Sequence, residues 1–176
     1  MLLFLTGYRG SGKSTIAPLV AELVSGDWVD TDELVELSAE KPISQIFAEE
    51  GEAEFRQLEH QAIRSVAGPT NDGCPLVVSL GGGAITFANN RDLIASSGKT
   101  VYLRGAVDTL WQRISTDPVS GDKRPNLTDQ GGRAEVQQML VLRSEIYESN
   151  SDFQIDIDSL TPAAIAKAIV TWWKSQ

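Results

Sequence analysis

Two residue types are nearly missing from this 176-residue chain, which has one cysteine, Cys74, and one histidine, His60. A lone cysteine cannot form an internal disulfide, so the fold has no covalent framework and suits a reducing compartment. A lone histidine, set among residues of helical pattern, leaves zinc clusters and Ser-His-Asp triads without the parts they need. His60 therefore reads as structural, and Cys74, between Gly73 and Pro75, as a passive residue at the start of a strand. Cationic residues are scarce as well: 15 Lys and Arg face 24 Asp and Glu, for a formal net charge of −9. That balance argues against nucleic acid or an anionic membrane as the main partner, because both require a basic face. An anionic substrate would need a local basic pocket in this acidic background. No apolar run approaches membrane-spanning length, and Met1 leads into an apolar segment with no basic stretch or cleavage site before it. The expectation is a cytoplasmic protein, and with no heptad or exposed apolar stripe to demand association, a monomer.

What the chain does have is 41% hydrophobic content, enough for one good core and a single domain spanning 1–176. Apolar strand-like runs alternate with amphipathic segments, the pattern of an α/β layer fold with a parallel sheet. Strands are expected at 2–5, at a short run ending near Val29, and at 75–80, 100–103 and 153–157. Helices are expected at 13–25, 32–40, 52–66, 88–97, 106–115, 133–148 and 162–174, the last opened by Thr161-Pro162 as cap and first-turn residue. Pro18 falls past the first turn of its helix, where it should remove a hydrogen bond. Trp172 and Trp173 pack the last helix, pointing in different directions. Residues 116–132 lack an apolar pattern, and a loop of that size in a small domain is usually functional or mobile.

The most informative stretch is Leu2-Leu3-Phe4-Leu5 followed by Gly7-Tyr8-Arg9-Gly10-Ser11-Gly12-Lys13-Ser14, which fits G-x-x-x-x-G-K-[ST] at every specified position. A buried strand delivering backbone into a glycine-rich loop ahead of a helix makes a phosphate cradle of converging N–H groups. Lys13 would reach the β- and γ-phosphates and the Ser14 hydroxyl would ligate Mg2+, with Gly10, Ser11, Gly12 and Thr15 completing the nucleotide contacts. The plain alternative, a glycine turn with a coincidental lysine, fits poorly with strand, loop and helix all in place.

Asp30 and Asp32 follow the second strand, and at i and i+2 of an extended segment both can face the cleft at the strand's carboxyl end. One can hold the metal, directly or through water, while the other accepts or orients the proton of an attacking hydroxyl. The alternative is that Asp32 only caps a helix beginning near Glu33. Arg56 and Glu59 lie three apart on one helix face, so Glu59 can hold the guanidinium, though a surface ion pair is the ordinary explanation. Gly81-Gly82-Gly83 ends a strand where ligands of open α/β folds bind and offers bare N–H groups at close range. Arg124 lies in the patternless segment and Arg143 on the following helix. A loop arginine can close over phosphates, and a fixed one can grip a carboxylate bidentately.

Together these residues resemble the shikimate kinase family, P-loop kinases that phosphorylate the 3-hydroxyl of shikimate with ATP and Mg2+. The matching elements are GYRGSGKST, the DTD at 30–32, IFAEEGEAEFRQLE at 46–59, SLGGGA at 79–84, RP at 124–125 and RSEIY at 143–147, in the family's order. The resemblance implies a three-layer P-loop kinase fold with a central five-stranded parallel sheet in the order 2-3-1-4-5, flanked by helices. It also implies a substrate-binding helical region at about 32–62 and a mobile lid at about 114–131. Lys13 and Ser14 then serve ATP and a single Mg2+, which Asp30 assists through water. Asp32 binds the substrate hydroxyls and acts as base or orienting group. Arg56, Gly82 within its glycine triplet, and Arg143 hold the substrate carboxylate. Arg124 belongs to the lid, and Arg113 lies near the adenine. Three positions depart from the pattern: the span from Arg113 to Arg124 is longer, Asn126 stands where a leucine usually follows Arg-Pro, and Arg9 replaces a common methionine. A gluconate kinase on the same fold would share the phosphate loop without needing the EFR, GGG and RSEIY combination. A non-catalytic relative would not need Lys13, Asp32 and Arg124 together.

Overall fold

The computed structural model describes residues 1–68, 73–116 and 131–176. Arg124 and most of the expected lid lie outside the described residues. Five strands, β1 (Leu2–Thr6), β2 (Asp27–Asp30), β3 (Leu76–Ser79), β4 (Lys99–Arg104) and β5 (Phe153–Asp156), form one sheet in the order β2-β3-β1-β4-β5. Every pairing is parallel. The expected strand order is therefore the observed one.

Parallel pairing requires crossover connections, and helices cover both faces of the sheet. They are α1 (Lys13–Val24), α2 (Thr31–Ala39), α3 (Ile43–Glu49), α4 (Gly51–Val66), α5 (Ala88–Ser97), α6 (Val107–Thr116), α7 (Gly132–Ser149) and α8 (Pro162–Trp173), with a 3-10 turn at Ala84–Thr86. The central strand β1 is buried at all five positions. Its period-2 alternation divides the core. Leu3 and Leu5 pack with Ile16 and Val20 of α1 and Ile165 and Ile169 of α8, whereas Leu2 and Phe4 pack with Ile63 of α4 and Ile94 of α5. A third cluster, Val35, Ile43, Ile46, Phe55 and Ala62, joins α2, α3 and α4 beside the sheet.

Helix α3 has no counterpart among the helices expected from sequence. Its seven residues make barely two turns, but Ile43, Ile46 and Phe47 follow a helical spacing after Pro42, and the Glu36 carboxylate accepts from the Ile43 N–H at 2.9 Å. Helix α1 runs through Pro18 to Val24. Its buried face of Ile16, Ala17, Val20 and Ala21 packs into the main core, and that burial outweighs the missing donor. At the C-terminus Trp173 is buried while Trp172 stacks on Phe153 at 4.9 Å between centroids, so the two neighbours do point apart.

Candidate active site

All the loops that carry candidate chemistry leave the carboxyl ends of the strands, where strand order reverses on either side of β1. The Gly7–Ser14 loop leaves β1, and Gly12 begins α1 in the left-handed region at φ 87°. Helix α1 has no side-chain cap and no acidic residue in its first turn, so its leading N–H groups and positive dipole end face a region suited to an anion. Lys13 is 9% exposed, and its Nζ donates to the Gly7 carbonyl at 2.8 Å and the Tyr8 carbonyl at 3.1 Å. The ammonium is thus held over the loop it belongs to.

Gly10, Gly12, Lys13, Ser14, Thr15, Asp30, Asp32, Gly82 and Arg113 line one cavity of about 580 Å3, while Ser11 is buried beneath the loop. The two aspartates reach it by a route other than the expected one. Asp30 ends β2 and caps α2, accepting from the Asp32 N–H at 2.9 Å through Oδ1 and from the Ser79 hydroxyl at 2.7 Å through Oδ2. Asp32 lies in the first turn of α2, so the pair shares the cleft because the chain turns from strand to helix between them, not because both lie on an extended segment. The cap itself is Asp30, and Asp32 lines the cavity.

The glycine triplet lies against the same aspartate. The Gly81 N–H donates to Thr31 Oγ1 at 2.9 Å, and a Cβ on Gly81 would come within 2.7 Å of Asp32 Oδ1 and 2.9 Å of Glu59 Oε1. Glu59 is 1% exposed and accepts from Arg56 Nη1 at 3.0 Å, with Glu52 on the other side of the guanidinium at 3.0 Å. The ordinary surface ion pair is therefore ruled out for Arg56–Glu59: the carboxylate is inside, and the guanidinium lies over the Phe55 and Phe87 rings, 5.0 and 4.5 Å from their centroids. A Cβ on Gly83 would sit 3.1 Å from Arg56 Nη1. Arg56, Glu59, Gly81, Gly83 and Asp32 are one continuous patch.

Arg143 projects from α7 beside two buried phenols. Burial raises the pKa of Tyr8, and it pushes that of Tyr147 up to about 12, with the Arg143 charge opposing the rise in both. Tyr147, one turn after Arg143, donates its hydroxyl to the Gly82 carbonyl at 2.5 Å. Arg113 reaches the far side of the phosphate loop, its Nη1 3.4 Å from the Gly10 carbonyl and its Nη2 3.3 Å from that of Ile157.

Four site residues escaped sequence reasoning. Ser79 orients Asp30, and the SLGGG run could have suggested it. Arg9, noted only as a departure, forms an ion pair with Glu135, which is fully buried in the first turn of α7. Tyr147 lay inside a quoted motif without a role. Nothing in a single sequence distinguishes a buried glutamate at a helix start from the solvated acids usual there, and Glu135 left no such signal.

The family model for shikimate kinase matches residues 9–174. A shikimate kinase of Rhodopirellula baltica is 42% identical over 154 residues, covering 88% of this chain and 80% of that protein. Among solved structures, shikimate kinase from Acinetobacter baumannii in complex with shikimate superposes with a TM-score of 0.89 at 28% identity, covering 99% of this chain and 93% of the other. The shikimate kinase of Bacteroides thetaiotaomicron gives 0.82 at 30% identity, covering 99% and 97%.

Proposed function

The chain belongs to the shikimate kinase family, and from that premise we propose that it transfers the γ-phosphoryl group of ATP to the 3-hydroxyl of shikimate, giving shikimate 3-phosphate and ADP. The observation that carries the reading is the single cavity shared by Lys13, Ser14, Asp30 and Asp32, with the glycine triplet and Arg56 against its Asp32 side.

Phosphoryl transfer asks little covalent chemistry of a protein; the work is in-line positioning and neutralisation of oxygen charge. The phosphate loop and the N-terminus of α1 hold the nucleotide's phosphates, Lys13 turns its ammonium from the loop carbonyls to the β- and γ-oxygens, and Arg113 lies on the adenine side. Arg56, the glycine-loop amides and Arg143 receive the shikimate carboxylate. Asp32 takes the hydroxyl end, so that the acceptor oxygen rather than water meets the phosphoryl group, and it accepts or orients that hydroxyl's proton. Arg124, outside the described residues, keeps the lid role that the resemblance gives it.

The residues present fit Mg2+ bound chiefly by nucleotide phosphates and water. Among the described residues no cluster of three or more His, Cys, Asp or Glu side chains could cage a metal, whereas Ser14 offers a hydroxyl oxygen to the cavity. Both oxygens of Asp30 already accept protein hydrogen bonds, which suits contact with the ion through water better than direct ligation. When bound, the ion neutralises charge on the phosphate oxygens. The reading extends to one domain acting as a cytoplasmic monomer.

The test is ADP release measured with shikimate present and absent, alongside gluconate and nucleoside monophosphates as rival acceptors. Release that depends on shikimate and on none of the others supports the assignment. A preference for gluconate, or ATP binding with no turnover on any acceptor, would overturn it.

A further inference from the structure

We propose that Tyr147 is a positioning residue for the substrate carboxylate, holding the glycine-loop amide and Arg143 at a fixed spacing; this rests on the shikimate reading above. Tyr147 is fully buried, and its hydroxyl donates to the Gly82 carbonyl at 2.5 Å. Its ring stacks on Tyr102 at 5.0 Å between centroids and packs with Ile85, so the phenol has one place to go. The hydroxyl stays protonated at working pH, because burial has pushed its pKa to about 12, and a neutral phenol can only hold that carbonyl as a donor.

The bond has a directional consequence. Among the described residues no peptide is cis, so a carbonyl pinned toward α7 turns the next amide, Gly83 N–H, the opposite way. The three glycines are buried, yet among the described residues neither Gly82 nor Gly83 gives its N–H to a protein acceptor, while Gly81 does. Buried amides with no acceptor among the described residues suit an anionic ligand. Arg56 flanks the Gly83 side of the loop and Arg143 stands one helical turn before Tyr147. Tyr147 therefore links the helix that carries one carboxylate donor to the loop that carries the others. The Gly81 carbonyl accepts from the Ala84 N–H and the Gly83 carbonyl from the Thr86 N–H and hydroxyl, so those planes are held locally, and the Gly82–Gly83 plane between them takes its bond from Tyr147.

The experiment is steady-state kinetics of Tyr147→Phe with each substrate varied, together with thermal melting. The ring and its stack remain and only the hydroxyl is lost. The expected result is a KM for shikimate raised about 5- to 20-fold, with KM for ATP within about twofold and kcat within about threefold. Replacement of Tyr147 by 4-aminophenylalanine, which restores a donor at the same place, should recover most of the shikimate KM. A shikimate KM unchanged in Tyr147→Phe overturns the proposal. So does a loss spread evenly over both KM values and kcat with a lowered melting temperature, which would mark Tyr147 as ordinary core, as would failure of the amino analogue to rescue. Failure of the wild-type protein to use shikimate at all is a different result, and it removes the functional reading together with this one.

Discussion

At the amino ends of the strands two glycines lie against backbone, whereas at the carboxyl ends one lies against carboxylates. A Cβ on Gly98 would come within 2.4 Å of the Leu2 carbonyl oxygen, and one on Gly26 within 2.3 Å of that of Pro75. On Gly81 it would meet Asp32 Oδ1 and Glu59 Oε1. Both ends demand glycine for close approach to backbone, a Cβ on Gly7 lying 2.8 Å from the Leu103 carbonyl oxygen, but among the described residues the carboxyl end alone sets a glycine against carboxylates. The amino end is backbone packed on backbone, with its ion pair Lys99–Asp152 partly solvated. The carboxyl end hides Lys13, which lines the cavity, together with Glu59 and Glu135. Burying charge is costly unless it is paired, so a fold that among its described residues does so at one end has spent its stability there on binding geometry.

The sharpest way to break the comparison is Asp32→Asn. Loss of the base or orienting group should lower kcat by about 10²–10⁴-fold while leaving ATP affinity within about twofold. Unchanged turnover would remove Asp32 from the chemistry. Arg143→Ala comes next. Removing a charged carboxylate partner should raise the shikimate KM by about 10- to 100-fold and the ATP KM by far less. An equal loss for both ligands would count against Arg143 as a carboxylate clamp.

A paired test then sets the two ends directly against each other. In Gly81→Ala the new methyl displaces side-chain carboxylates that can move, so shikimate kcat/KM should fall about tenfold with the melting temperature within about 3 °C. In Gly98→Ala it meets an immovable main-chain carbonyl. Melting should drop by about 5–10 °C while both KM values hold. If Gly81→Ala instead melts early with normal kinetics, the carboxyl end is ordinary packing and the distinction fails.

How legible this was in sequence follows the same division. The strands could be read because β1, β3 and β4 are short apolar runs, and a buried parallel strand carries its signal locally. The phosphate loop was legible because its function is made of local backbone, with every group within eight residues. The clamp was less so. Arg56 is only three residues from Glu59, but its burial depends on Phe87 and Gly83, far along the chain, and only the resemblance to a family suggested that Arg143 joins it. Tyr147–Gly82 and Arg9–Glu135 are separated by 65 and 126 residues, and no periodicity encodes such pairs. The wrong route to Asp32 has a similar cause. The chain switches from a period of two to 3.6 between Asp30 and Thr31, and two residues of boundary error change which aspartate is the cap.

The smallest expected effect belongs to the amino end and comes from acid. Burial would raise the pKa of Asp152, but the Lys99 ammonium at 2.7 Å and the Thr100 N–H at 2.8 Å prevail and hold the carboxyl below its ordinary range. A folded-state pKa below the unfolded one means stability that is present above the unfolded value and disappears as pH falls through the folded one. The pair is more than a third open to water on both sides, so screening reduces its worth to that of a surface ion pair. Asp152→Asn should therefore lower the neutral-pH melting temperature by only about 1–3 °C and flatten the decline between about pH 5 and pH 3. Kinetics at neutral pH should not change, because Asp152 sits at the opposite end of the sheet from the phosphate loop. A raised shikimate KM in that variant would mean that the two ends are mechanically joined through β4 and β5, and the division of labour between them would have to be given up.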